Sequence, residues 1–341
     1  MAITNISTSN DLRKELWEKK LYDKIMIDSF FNRFTSTSMN SIVWQKSDLE
    51  KAQGDKITFG LTVTDPEDEE GVVGTSTMEG NEVALETGNF NVELEVYRQA
   101  IRDNIISKKR ACFDLNAEEE EWLRRWGVAK LDRLHFSAAY AAATNVAYMS
   151  TTTFTMGTSA ATALAAVDAT NGKLTPSLIS KTKVIAKTGN GGAAYRIAPI
   201  MVDGIELYIL VVPEDVMYDL RMNSVMTQAN RDAMERGKKN PIFRGGDLLY
   251  DGVLITSSER CSSGLGGSGG IVPVAECLFM GQSALCRADG KKFNLITKTF
   301  DYDFQKGMSA CLYTGIEKAK FNSKDYGLID LVVARTDISG S

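Results

Sequence analysis

The sequence predicts an α+β fold whose parts depend on one another for burial, and three observations point to it. Two segments with the two-residue period of a half-buried strand, 57–63 and 92–97, stand about 25 residues apart. One apolar arc at helical spacing runs for about 25 residues beyond Asn116. After it, helical and strand patterns follow one another irregularly, which argues against a regular βαβ repeat.

Residues 1–55 read as an N-terminal arm. Leu12, Leu16, Trp17, Leu21 and Ile25 suit one or two amphipathic turns, and a Ser/Thr/Asn stretch follows from Thr35 to Ser41. Residues 56–97 read as an extended two-stranded ribbon. Ile57, Phe59, Leu61 and Val63 alternate with Thr58, Gly60, Thr62 and Thr64, and Val92, Leu94 and Val96 alternate with Glu93, Glu95 and Tyr97. The connection between them is too long for a tight hairpin turn. Its sequence, DPEDEEGVVGTSTMEGNEVALETGN, is acidic, rich in glycine and poor in large apolar groups, so it is expected to project or to dock elsewhere. An isolated ribbon is marginal in water and its edge invites pairing with another chain, so a partner is expected.

Residues 98–171 contain the clearest helix, expected over 117–143. Asn116 suits the N-cap, and Glu119 sits where a capping box would turn it back on the cap. Glu118 to Glu121 place negative charge at the positive end of the helix dipole. Glu120 with Arg124 and Glu121 with Arg125 stand four apart, each pair worth about 0.2–0.5 kcal/mol. Leu123, Gly127, Leu131, Leu134, Ala138 and Ala141 form one apolar stripe; Trp122, Trp126, Ala129, Phe136 and Tyr140 form another. At about 1.5 Å per residue the rod is nearly 40 Å long, enough for a spine. A soft Thr/Ala/Gly stretch, 150–172, separates it from a second unit.

In that unit, 172–290, helices are expected over 176–187, from Pro213 to Leu220, and over 226–236, with Gly237 as a stop. Strands are expected over 205–212, 252–256 and 274–280, with the glycine-rich 261–270 as a flexible loop. The last segment, 291–341, carries strands over 293–304 and 328–334 and is expected to return to the helix-bearing domain.

Composition excludes much chemistry. The charge balance is 39 basic against 44 acidic residues, a net −5, so the whole-molecule field does not favour tight wrapping of nucleic acid. Five scattered cysteines without a C-x-x-C pair argue against a disulfide framework and against a zinc site. His135 is the sole histidine and lies between Leu134 and Phe136 on the helix, where a packed imidazole is the better reading. GLGGSGG lacks the Lys-Ser/Thr of a phosphate loop, and GNGGAAYR lacks the strand and acidic partner of a dinucleotide site. The DPEDEE run lacks the spaced ligands of a calcium loop. No catalytic, cofactor-binding or metal-binding residue is expected, nor a membrane span or secretory signal. Basic residues Lys108, Lys109, Arg110, Arg124 and Arg125 are candidates to face nucleic acid, with pairing to Glu118–Glu121 as the competing reading.

Four segments in series carry a resemblance: GVVGTSTMEGNE (71–82), KNPIFRGG (239–246), LFMGQSAL (278–285) and FDYDFQKGMSACLYTGIEKAKFNSKDYGLI (300–329). Over about residues 17–334 the chain resembles major capsid proteins of tailed bacteriophages, the N-4-like coat family with the HK-97-like fold. The resemblance implies an N-terminal arm, an extended loop, a peripheral domain with the spine helix and an axial domain. It implies a structural protein, not an enzyme, that self-assembles as hexamers and pentamers into the icosahedral shell around double-stranded DNA. The expected partners are further copies, a portal, a scaffold or decoration protein, and the packaged DNA, without contact with a membrane. Assembly in the host cytoplasm and residence in the virion capsid follow. Trp17, Leu21, Asp65, Glu67, Asp68, Gly71, Gly74, Glu79, Gly80, Asn81 and Glu82 are the expected subunit-interface residues. The alternative is another phage structural component, a tube or adhesion protein, built on exposed ribbons.

Overall fold

The computed structural model describes residues 28–47, 54–62, 72–74, 77–79, 87–112, 114–189, 195–202, 204–228, 248–267 and 269–337. The amphipathic turns expected around Trp17 and Leu21, most of the ribbon tip, the helix expected beyond 228 and the KNPIFRGG segment lie outside them. The chain forms two compact units. One takes the described parts of Met1–Ile57, Val92–Ala141 and Leu285–Lys318; the other takes those of Thr58–Asn91, Ala142–Ala284 and Ala319–Ser341.

The first unit is a five-stranded sheet with a long helix on one face. Its strands run in the order Thr35–Ser36, Val43–Lys46, Leu285–Phe300, Gln305–Lys318, Glu95–Asn104. The two longest form an antiparallel hairpin, with Leu285 opposite Lys318 and Phe300 opposite Gln305. Glu95–Asn104 then pairs antiparallel with Gln305–Lys318 and is left as an edge. The strand over Gln305–Lys318 was absent from the expected elements, and that expected over 293–304 is the end of Leu285–Phe300 with its turn.

The helix spans Leu115–Tyr140, two residues earlier at its start than expected. Its cap is Asp114, whose carboxylate accepts from the Asn116 amide at 3.0 Å, while the Asn116 side chain accepts from Lys108 Nζ at 2.7 Å. Glu119 is buried. Leu123 and Leu131 pack on Ala310 and Leu312, with Tyr97, Ile101, Trp126 and Leu295 around them. Neither expected stripe goes wholly inside: Trp122 and Ala141 are exposed and Leu134 is half-buried, whereas the polar Asp132 and His135 are buried.

Residues 28–47 are not a free arm. Phe31, Ile42 and Val43 are fully buried, and Val43–Lys46 enters the sheet parallel to Leu285–Phe300. Asp132 of the helix accepts from Ser29 Oγ at 2.6 Å and from the Phe30 amide at 3.1 Å, which explains a carboxylate on the inner face. The ribbon also differs from expectation. Lys56–Thr62 pairs with Thr87–Glu93, so the alternation over 92–97 straddles two strands, the second belonging to the sheet. Ile57, Phe59, Leu61 and Val92 are buried within this chain, so the root of the ribbon has a core and only its far part can lack one.

The second unit is a nine-stranded mixed sheet. Seven strands run in the order Leu248–Tyr250, Val253–Ser257, Ile205–Val212, Val272–Met280, Leu328–Ala334, Val146–Ser150, Thr153–Gly157. Ile200–Val202 pairs with Ile205–Val212, and Ser263–Gly266 pairs with Val272–Met280. Helices Pro176–Thr188 and Glu214–Met222 supply Leu178, Ile179, Val216, Met217 and Leu220 to a core that contains Leu331 and Val333. Val332 and Ala334 belong instead to a cluster with Ala163 and Val167, on and just beyond helix Ala160–Ala166. Alternate side chains of one strand thus enter two cores, so both faces of the sheet are covered. Pro176 opens its helix and Gly189, at φ +67°, closes it.

Three expectations change in this unit. The soft stretch 150–172 contains the strand Thr153–Gly157 and the helix Ala160–Ala166. Four of the ten residues of the expected loop 261–270, Ser263–Gly266, form a strand, since glycine does not prevent backbone pairing. The chain after 318 does not remain with 291–318: Leu328–Ala334 pairs with Val272–Met280 over seven residues, from Val274 opposite Ala334 to Met280 opposite Leu328.

Candidate assembly surfaces

The groups that could carry catalysis are occupied structurally. His135 is fully buried, its ring stacked on Phe31 with centroids 4.9 Å apart and its Nδ1 2.9 Å from the Leu131 carbonyl. Burial, with the nearby Arg287 charge, lowers its pKa to about 3, so the imidazole is neutral near neutral pH and has no route to solvent. Burial likewise pushes the Cys286 thiol up to about 12 and the Cys277 thiol well above its usual range. Arg287 is satisfied inside the first unit. Its Nε donates to Asp289 Oδ1 at 2.9 Å, and that carboxylate also accepts from Thr314 Oγ1 at 2.8 Å and Gln45 Nε2 at 2.6 Å. This set ties three strands together. Among the described residues no group of His, Cys, Asp and Glu could hold a metal ion.

The surfaces carry more information. In the first unit the side of the sheet turned away from the helix presents Val96, Arg98, Ala100 and Arg102 from the edge strand. Beside them stand Ser309, Cys311 and Tyr313, then Ile296, Lys298 and Phe300. These positions include no carboxylate. Arg102 stands 4.6 Å and Lys298 5.2 Å from the Phe300 ring centre, and among the described residues neither they nor Arg98 enters an ion pair. Among the described residues, the edge strand has one row of backbone groups without a neighbouring strand. Sequence reasoning missed this face; the signal was present in V-x-R-x-A-x-R at strand period.

Of the expected interface residues, Gly74 and Glu79 are described and exposed, close to the exposed Val73 and Met78. Trp17, Leu21, Asp65, Glu67, Asp68, Gly71, Gly80, Asn81 and Glu82 lie outside the described residues. The five basic candidates do not form one uncommitted face. Lys108 Nζ stands 3.0 Å from Asp103 Oδ2, Arg124 pairs with Glu121 at 2.5 Å and with Asp28, and Arg125 stands 3.4 Å from Glu121. Lys109 and Arg110 are exposed on helix Ile105–Arg110 and, among the described residues, enter no ion pair. The second unit exposes apolar side chains in groups: Met201, Val202 and Ile205 on one hairpin, Met222 and Val225 at the end of a helix, and Leu265 and Ile271 around the glycine-rich turn. Apolar groups gathered in this way are characteristic of protein contact surfaces.

Comparison with known proteins agrees with that character. The phage capsid protein family matches residues 5–335. The major capsid protein of Pseudomonas phage KPP25 is 26% identical, with 97% of each chain covered. The capsid of Ralstonia phage GP4 superposes with a TM-score of 0.76 at 23% identity over 100% of both chains. The capsid of cyanophage Pam1 gives 0.75 at 21% identity over 98% of this chain and 96% of that one.

Proposed function

This chain belongs to the phage capsid protein family and has the HK-97-like fold, and from that premise we propose how it builds a shell. It is a structural subunit, not an enzyme, and copies of it close into the icosahedral container of a tailed phage's double-stranded DNA. The observation that carries this reading is the match to a capsid family from residue 5 to residue 335.

The physics of such a shell is multivalent self-association. A standard interface of about 1,600 Å² at about 25 cal/mol per Å² offers gross apolar stabilisation that ordering costs largely cancel. Each contact is then weak enough to be corrected, and several per subunit make the closed shell durable. The surfaces for it are the far part of the ribbon with Gly74 and Glu79, the open basic face of the first unit with its edge strand, and the apolar groups of the second unit. Hexamers and pentamers are the expected rings, with a portal, and a scaffold or decoration protein, as further partners. The division into peripheral and axial domains follows the two units: the helix-bearing sheet is peripheral and the nine-stranded sheet axial. Lys109 and Arg110 are the basic residues left to meet packaged DNA, and the mild net negative charge of the chain keeps that contact loose. Assembly takes place in the host cytoplasm and the product resides in the virion.

Electron microscopy of the expressed chain, with a scaffold protein supplied where shells do not close without one, tests the reading. Closed spherical particles are expected. Persistent monomers, or helical tubes, would overturn it. Deleting 65–86 should leave a folded subunit and abolish particles, because that acidic, glycine-rich segment has little to contribute to a core.

A further inference from the structure

The hairpin of Leu285–Phe300 and Gln305–Lys318 ends in a turn that its own sequence does not favour. Asp301, Tyr302 and Asp303 all adopt left-handed backbone, at φ +52°, +51° and +68°, although none is a glycine. Residues with a side chain visit that conformation singly and at a cost, so three in succession have to be held by their surroundings. The Phe304 amide donates to the Asp301 carbonyl at 2.9 Å, and the Ile105 amide donates to the Phe304 carbonyl at 3.1 Å, which closes the turn and anchors it beside the end of the edge strand. The strain brings no burial. Tyr302 is fully exposed, Asp301, Asp303 and Phe304 are exposed around it, and among the described residues neither aspartate enters an ion pair. The open side of the same sheet has the complementary chemistry. It begins one residue before the turn, at Phe300, whose ring stands near both Arg102 and Lys298. Those two bases lie opposite Gly307 from either side, and Arg98, Val96 and Ile296 are exposed beyond them.

We propose that the turn 301–303 of one copy seats on the open basic side of this sheet in a second copy, Asp301 and Asp303 meeting Arg98, Arg102 and Lys298, and Tyr302 lying against the aliphatic chains of Val96 and Ile296. The inference rests on the capsid reading and names the partner of one of its surfaces. Turn and receiving side belong to the same subunit, so two copies related by a two-fold axis make the contact twice, each supplying one of both. Charge complementarity selects a second copy over the other occupants. Within one copy the two aspartates pair with none of the three bases, whereas two copies satisfy both sets at once. A nucleic-acid backbone would suit the bases, but it would run against the acidic turn at the end of the same surface. The turn is also pre-organised: its backbone is already fixed, so an exposed tyrosine docks there with little further loss of freedom, and tyrosine is a frequent anchor of protein contacts.

Two charge-reversed chains test the contact: Asp301→Lys with Asp303→Lys, and Arg98→Glu with Arg102→Glu. All four positions are exposed, so the denaturation midpoints should stay near that of the parent. Each reversed chain alone should yield about tenfold fewer particles by light scattering, because like charges then face one another. An equal mixture of the two should recover the parent's yield, since the reversed turn of one fits the reversed side of the other and their unreversed parts fit likewise. A parent chain that forms no particles overturns this proposal together with the capsid reading. A parent that assembles while both reversed chains assemble equally well, or a mixture as poor as its components, overturns this proposal alone. A second measurement decides where a reversed chain fails to fold. In particles of Tyr302→benzoylphenylalanine, irradiation should join position 302 to a peptide containing 96–102 or 296–300 of another copy, recognised by mixing isotopically heavy and light chains. Joining to residues 65–86, to a different protein or to DNA would overturn the assignment.

Discussion

The strands Leu328–Ala334 and Glu95–Asn104 have the same backbone geometry and opposite fates. In the first, LIDLVVA, every residue is buried; in the second, EVYRQAIRDN, none is. The first lies inside a sheet covered on both faces, so each side chain enters one of two cores. The second is an edge with a helix on one side, so its inner residues are half-buried and its outer ones are open. The two strands thus differ by their place in a sheet, one central and covered on both faces, the other at an edge beside an open basic face. That asymmetry suits a subunit that must fold first and associate afterwards.

Substitutions can break the contrast. The largest loss should come from Leu331→Ala, about 2–5 kcal/mol in chemical denaturation, because neighbours on both sides hold the cavity open. A cost below about 1 kcal/mol would mean that the central strand is less tightly packed than described.

In the last turns of the long helix, His135 should set the response to acid. Its folded pKa lies far below its ordinary value, so the folded chain resists protonation while the unfolded chain accepts it. Stability should be unaffected above about pH 6.5 and fall below it by about 1.4 kcal/mol per pH unit, reaching about 3 kcal/mol at about pH 4. In His135→Leu that fall should be shallower, read as the difference between the two denaturation profiles against pH. Burial raises the Glu119 carboxyl instead, so its contribution is lost as pH rises, the opposite sign, and the two effects are separable.

A smaller effect tests the strand beside the edge. A Cβ at Gly315 would meet the Glu93 carbonyl oxygen, so Gly315→Ala should cost about 1–3 kcal/mol by displacing backbone, measured as a lower denaturation midpoint. The smallest change in stability should come from Arg98→Ala and Arg102→Ala, within about 0.5 kcal/mol, since both are exposed. Those two should nonetheless lower the yield of particles by light scattering. Unchanged assembly would remove the open face from the set of contact surfaces.

Much of the fold was legible. Ile205–Val212 and Leu328–Ala334 read directly as strands because short runs dominated by β-branched and other apolar residues, each interrupted by one acidic residue, have few other solutions. The helix expected over 176–187 is found over Pro176–Thr188, its start set by the local backbone preference of Pro176. The strand Gln305–Lys318 was not legible, because glycine, serine and charged residues break its alternation and its pairing with Leu285–Phe300 and Glu95–Asn104 supplies what its side chains do not announce. Residues 28–47 read as an arm because polar Ser, Thr and Asn surround the few apolar side chains that matter, Phe31, Ile42 and Val43. Of the proposed assembly surfaces, the acidic ribbon tip was visible in composition, whereas the basic face needed the register of three strands.

The sequence by itself determined the class of protein, through four motifs in order and an absence of usable chemistry, and it determined the elements whose apolar period or cap residues act within a few positions. Only the tertiary structure decided which strand is central, which is an edge, and that Asp132 meets Ser29. Those outcomes depend on pairings between residues far apart in the chain, and local propensity contains no term for a partner that has yet to arrive.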